Sequence, residues 1–226
     1  MTPEMSDSQK LSTQQGLVAF FDILGFRKML QANTIIESLD IINKVMLKVL
    51  EQAEKTFGGL VKTFVISDSI LITLPIAKKA PVFPWFCGQI MWELLSEGLP
   101  VRGAIAAGEF YVQPEPNRII FVGQPIIDAY ELAASMEIAA CAIVPSSESN
   151  ILGHSRERFE RYRTPLKNRP PCELYLLKYE IENRPFSRGE IIKNFEAHKK
   201  HLDPDSYSKF NNTIEFLKQC GGLKPL

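Results

Sequence analysis

Residues 17–26, LVAFFDILGF, form an almost unbroken apolar run with one acid, Asp22, near its end and a break at Gly25, which reads as a buried strand. A helical segment follows over about 28–56, where Ile35, Leu39, Ile42, Met46, Val49 and Ala53 recur in steps of four and three. FGG ends it. Two β-rich runs, LVKTFVI and ILITLP, are separated only by SDS and predict a hairpin with Asp68 at its tip. A second helix, bulky all round and therefore buried, spans about 82–97 and stops at Gly98. LPVRGAIAAGEFYV and RIIFVG read as strands joined by the polar loop QPEPN, followed by a helix over 125–138 and a short strand, CAIVP. CELYLLKYE reads as the last strand, and two charged helices split at LDPDS occupy about 187–219.

The resulting order, βαββαββαβ, is not the simple alternation of a doubly wound sheet. It predicts an α+β fold: a mixed or antiparallel sheet with helices packed on one face, plus C-terminal helices. The expected division is a flexible tail over 1–16, one domain over 17–180 and a C-terminal helical appendage over 181–226.

A chain of 226 residues supports one well-buried core. Its 26 basic and 26 acidic residues cancel, so no overall positive field exists to hold a nucleic acid, and any phosphate binding must be local. Cys87, Cys141, Cys172 and Cys220 contain no C-x-x-C pair, which speaks against a zinc site or a disulfide framework. The polar N-terminus lacks an apolar leader core and no run reaches membrane-spanning length, so a cytoplasmic protein without membrane contact is expected.

Asp22 and Asp68 each lie where an apolar strand ends. If the first strand pairs beside the hairpin, the two carboxylates converge. Two acids in one place repel and raise each other's pKa unless a cation intervenes. Hard oxygen donors with few other protein ligands suit Mg²⁺ or Mn²⁺ carried with a substrate's phosphates. Taken singly, Asp22 also reads as a helix N-cap and Asp68 as an ordinary turn residue. Ser67 and Ser69 have no evident base partner, His198 and His201 read as solvated, and no G-x-x-x-x-G-K-[ST] loop exists, which excludes a P-loop NTPase.

FFDILGF, KTFVISDSILI, LPVRGAIAAG and FVGQPIIDAYELA, taken in order and spacing over about 17–178, resemble the class III nucleotidyl cyclase catalytic domain. The resemblance implies a ferredoxin-like cyclase fold with Asp22 and Asp68 as carboxylate ligands of two Mn²⁺ or Mg²⁺ ions and the Ile23 carbonyl as a further ligand. It also implies phosphate approach at Gly25 and Phe26, triphosphate contacts from Arg102 and Lys167, and a base pocket at Lys62 and Phe64. Family members build their sites between two antiparallel subunits, so a homodimer with interfacial sites and a nucleoside triphosphate substrate is expected.

The departures matter as much. Phe64 stands where purine cyclases place a base-reading lysine, Lys62 lies two residues earlier on the same strand face, and the acidic partner of that lysine falls near Ile120. Ile127 and Glu131 replace the asparagine and transition-state arginine of the following helix. An apolar pair cannot read an adenine edge, and a lost arginine forfeits charge stabilisation. At these places the chain is most similar to the bacterial Pycsar pyrimidine cyclases of antiphage defence. That implies cyclic UMP or cyclic CMP as a second messenger, reaching its effector only indirectly, with the choice between UTP and CTP open and Tyr130 and Glu131 facing solvent or a dimer seam. Two other readings stand beside it: a catalytically silent cyclase-like domain that binds a nucleotide or a protein, and an adenylate or guanylate cyclase that uses Lys62.

Overall fold

The long apolar run becomes the central strand β1, Gln14–Ile23, because its alternating side chains are covered on both faces of the sheet. The structure, a computed structural model, describes residues 13–75, 80–97, 99–115, 118–178, 188–199 and 204–219. In chain order the further elements are α1 Phe26–Ala32, α2 Ile35–Phe57, β2 Lys62–Ile66, β3 Ser69–Pro75, α3 Phe83–Ser96, β4 Val101–Glu115, β5 Arg118–Val122, α4 Gln124–Ser135, β6 Cys141–Ile143, α5 Glu148–Ser155, β7 Phe159–Leu166, β8 Arg169–Leu177, α6 Arg188–Lys199 and α7 Pro204–Gln219.

The strands make one mixed sheet in the order β2-β3-β1-β4-β6-β8-β7, with β5 paired to the far part of β4. β4 and β6 run parallel; the other pairings are antiparallel. Leu17, Ala19, Phe21 and Ile23 point into the main core with α2 and α3, where Phe57 meets Phe83 and Phe86 edge to face. Val18 and Phe20 point the other way, toward α4 and the β4–β5 arm. The helices therefore divide between the two faces. Gly103 of β4 is required by this packing: a Cβ there would strike the Phe21 ring and the Phe20 carbonyl.

Several expectations are corrected. β1 starts at Gln14, inside the expected tail. The helix expected over 28–56 is broken before Thr34, whose hydroxyl accepts from the Glu37 backbone N–H while the Glu37 carboxylate accepts from the Thr34 N–H, a reciprocal cap that starts α2 afresh. Ile35 and Leu39 consequently lie exposed, and Ser38, Val45, Met46, Val49, Ala53 and Phe57 are the buried stripe. β4 extends to Glu115, through much of the expected QPEPN loop. α4 ends at Ser135, after which Met136 turns extended. The stop expected at Gly98 lies outside the described residues.

β7 and α5 were not expected. β7 is an edge strand whose exposed Arg161 and Arg163 alternate with buried or half-buried Tyr162 and Thr164, and Arg161 pairs across to Glu173 of β8 at 3.5 Å. Nor does α7 behave as an appendage. Phe210 and Phe216 are fully buried in the main core, Phe216 packs on Tyr162, and the Thr213 hydroxyl accepts from the Ala139 N–H at 2.8 Å. No helix among the described residues is long and apolar enough to cross a membrane.

Candidate active site at the end of the central strand

The sheet brings three expected residues together. Asp22 stands directly across from Ser69 of β3 on one side and Arg102 of β4 on the other. The β2–β3 connection is a two-residue turn, Ser67 and Asp68, with positive φ (57°) at Ser67 only, the φ pattern of a type II′ hairpin turn. The Ile23 N–H donates to the Asp68 carbonyl at 2.9 Å, which pins the turn to the end of β1. Asp22 and Asp68 thus meet at one end of the sheet. Gly25, with φ 79°, turns the chain from β1 into α1 in a conformation that favours glycine, and Phe26 opens α1 with its ring in the core.

Arg102 is already engaged. Its Nε donates to Asp22 Oδ2 at 2.8 Å, and its Nη1 donates to the carbonyls of Ala134 (2.9 Å) and Met136 (3.2 Å) at the C-terminal end of α4. One guanidinium therefore holds Asp22 in place and satisfies carbonyls that the helix end leaves free. The Lys167 N–H donates to the Ser135 carbonyl at 2.7 Å, so the β7–β8 turn abuts this same segment, with the Lys167 side chain exposed.

Burial pushes the Asp22 carboxyl above its ordinary value. The hydrogen bond and charge of Arg102 pull it down, nearby Asp68 pushes it further up, and Lys209 of α7 opposes that rise. A carboxylate that is desolvated, beside a second one and only partly offset by an arginine favours an added cation. Among the described residues no three His, Cys, Asp or Glu side chains cluster into a closed metal cage. Two carboxylates plus backbone oxygen fit Mg²⁺ or Mn²⁺, which complete their octahedra with water and substrate phosphate.

Beside the acids, on the same sheet face, lies an aromatic cavity of about 220 Å³ lined by Phe20, Phe64, Ile66, Ser69, Leu71, Phe121, Ile126 and Tyr130. Phe64 and Phe121 meet edge to face at 4.8 Å, as do Phe20 and Tyr130 at 5.3 Å. The residue facing Phe64 is thus Phe121 rather than Ile120. Tyr130 is half exposed and also lines the cavity. Lys62 stands on the same face of β2 as Phe64, opposite Thr73 and outside the cavity lining. A larger groove of about 320 Å³ lies between α2 and α3 against the other face, and holds none of these groups. His154 is exposed; His201 and the side chain of His198 lie outside what is described.

Sequence reasoning missed Lys209. Its signal was the spacing of Phe210, Ile214 and Leu217, an apolar stripe that requires α7 to be buried and so places its neighbouring lysine against the domain.

No protein-family model matches the chain, and no curated protein matches it either. Solved structures do. The adenylyl cyclase CyaB from P. aeruginosa superposes with a TM-score of 0.57 at 16% identity, covering 76% of this chain and 98% of that one. The guanylate cyclase domain of RhGC from Catenaria anguillulae, solved in complex with GTP, gives 0.56 at 16% identity over 74% and 98%. The non-canonical dimeric guanylyl cyclase domain of RhoGC from Blastocladiella emersonii gives 0.59 at 16% identity over 74% and 97%. The fold is that of the class III cyclase catalytic domains.

Proposed function

We propose that the chain is a metal-dependent nucleotide cyclase that converts a pyrimidine ribonucleoside triphosphate, UTP or CTP, to its 3′,5′-cyclic monophosphate and pyrophosphate. The product would serve as a second messenger in bacterial antiphage defence, acting on a separate effector. The observation that carries the reaction class is the meeting of Asp22, Asp68 and Arg102 at one sheet end beside an aromatic cavity.

Asp22 and Asp68, with the Ile23 carbonyl, would hold two Mn²⁺ or Mg²⁺ ions. When bound, these supply Lewis acidity toward the 3′-hydroxyl and neutralise phosphate charge. Arg102 fixes the Asp22 carboxylate and would also meet phosphate oxygens; Lys167 of the neighbouring turn is the second candidate phosphate contact. Gly25, with no side chain, would let phosphate approach the backbone before Phe26. Ring closure then needs alignment of hydroxyl and α-phosphorus more than covalent help.

The cavity of about 220 Å³ offers aromatic walls on which a base would stack. The pyrimidine assignment rests on Phe64 standing where a purine-reading lysine would be needed. Phe64 would stack on the base, with Lys62 at the outer edge of the same strand face. Exposed Ile66, Ile119, Val122, Ile127 and Tyr130 lie on the cavity lining and on the elements that frame it, the apolar rim expected where a second copy completes the site.

The test incubates purified protein and Asp68→Ala with each of the four ribonucleoside triphosphates and Mn²⁺, and identifies products by mass. A cyclic pyrimidine nucleotide from wild type alone is expected. Product only from ATP or GTP would reject the base assignment, and none from any triphosphate would make the chain a silent cyclase-like domain.

A further inference from the structure

Lys209 sits on α7, an element that the motif pattern of the first 178 residues leaves unused. Its ammonium lies 3.9 Å from Glu137 Oε1, and both side chains are mostly buried, with relative exposures of 17% and 23%. α7 is held against this segment by two bonds. Asn212 Nδ2 donates to the Glu137 carbonyl at 2.7 Å and the Ala139 N–H donates to Thr213 Oγ1 at 2.8 Å, while within α7 the Thr213 hydroxyl donates to the Lys209 carbonyl at 2.7 Å. The lysine's stem therefore stands on a fixed backbone.

Glu137 directly follows Met136, whose carbonyl accepts from the same Arg102 that grips Asp22. One short segment, 134–137, is thus touched by the Arg102 side chain, the Lys167 backbone and the Lys209 side chain, from three different elements. A lysine held one residue from the Arg102–Met136 contact, by a pair too long for a firm hydrogen bond, is free to turn toward a stronger anion.

We propose that Lys209 is a further phosphate-contacting residue of this site, delivered by α7, so that the C-terminal helix belongs to the catalytic unit. The inference rests on the cyclase reading. The Glu137 carboxylate holds the ammonium by this loose pair. A bound triphosphate draws it away, adding positive charge beside the two acids that the metal ions alone would have to offset.

Binding of inorganic triphosphate in the presence of Mn²⁺, followed by isothermal titration, reads this without reference to base or turnover. Lys209→Ala and Lys209→Gln, the latter keeping stem length in case alanine loosens α7, should each weaken binding by about tenfold or more, and Lys209→Arg should retain most of it. Glu137→Gln, which frees the ammonium, should bind at least as tightly as wild type. If Glu137→Gln weakens binding as Lys209→Ala does, the lysine serves only to dock α7 and the proposal is wrong. Wild type that binds with Lys209 variants unchanged overturns the proposal while leaving the cyclase reading intact; wild type that does not bind overturns both.

Discussion

Arg102 donates through Nε to Asp22 Oδ2 at 2.8 Å while its Nη1 reaches two carbonyls at the end of α4, so the strand acid and the helix terminus share one guanidinium. Arg102→Ala leaves Asp22 without its partner and α4 without its tie. Both side chains are partly exposed, which limits the penalty to about 1–3 kcal/mol, measurable by urea unfolding. Lys at 102 should rescue poorly, since a single ammonium cannot serve an acid and two carbonyls in a fixed fork.

Asp22→Asn should leave the metal-free protein at least as stable as wild type at pH 7 while abolishing turnover. Burial raises the Asp22 pKa in the folded state above its value in the unfolded chain. The folded state therefore takes up the proton first as pH falls, and wild-type stability from this group is greatest in acid and is lost as pH rises through the folded pKa. Asparagine does not titrate and keeps an oxygen for Arg102. The stability difference between the two proteins, followed from pH 7 toward 4, should shrink or reverse; a variant markedly less stable than wild type at pH 7 would mean the ionised acid is stabilising.

Asp68→Ala should cut turnover by at least about 100-fold, on the scale of losing one group that stabilises developing charge. Asp68 sits in a two-residue turn, so the fold should survive. Thermal unfolding separates the two effects: Mn²⁺ should raise the wild-type transition and leave that of Asp68→Ala unmoved.

Asp22 and Asp68 were legible as candidates because each acid ends an apolar run, but their meeting was legible only on the condition that the first strand pairs beside the hairpin, which the β1–β3 register supplies. The bond from Arg102 to Asp22 was not, since it depends on β1 pairing with β4 some 80 residues away, a long-range register that local pattern does not encode. The Thr34–Glu37 cap was present in the residues but was absorbed into a longer period. β7 escaped because an edge strand exposes charges at alternate positions and so looks polar. α7 escaped because Lys209, Asn211 and Asn212 mask the stripe of Phe210, Ile214 and Leu217 between them.

Phe64→Ala should raise KM for the preferred triphosphate by about 5- to 100-fold, the range for removing one aromatic stacking partner from a base, with kcat largely kept. It also removes the edge-to-face contact with Phe121, costing about 0.5–1.5 kcal/mol beyond lost burial. Initial rates against substrate concentration decide it. A fall in kcat at unchanged KM would place Phe64 outside the base pocket.

The C-terminal helix makes the sharpest structural prediction. Phe216 is fully buried against Tyr162, and Phe210 is fully buried beside it, so Phe216→Ala or Phe210→Ala should each cost about 3–5 kcal/mol. Thr213→Val keeps the volume but removes the acceptor of the Ala139 N–H, and should cost about 1–3 kcal/mol. The Thr213 bond fastens α7 to the segment that follows α4, whose Met136 carbonyl is also held by the Arg102 that grips Asp22. A chain ending after residue 178 should therefore lose cooperative unfolding, whereas a true appendage could be removed with its transition intact. Circular dichroism melts of the truncated and full chains distinguish these outcomes, and an unchanged transition in the truncated chain would detach α7 from the core.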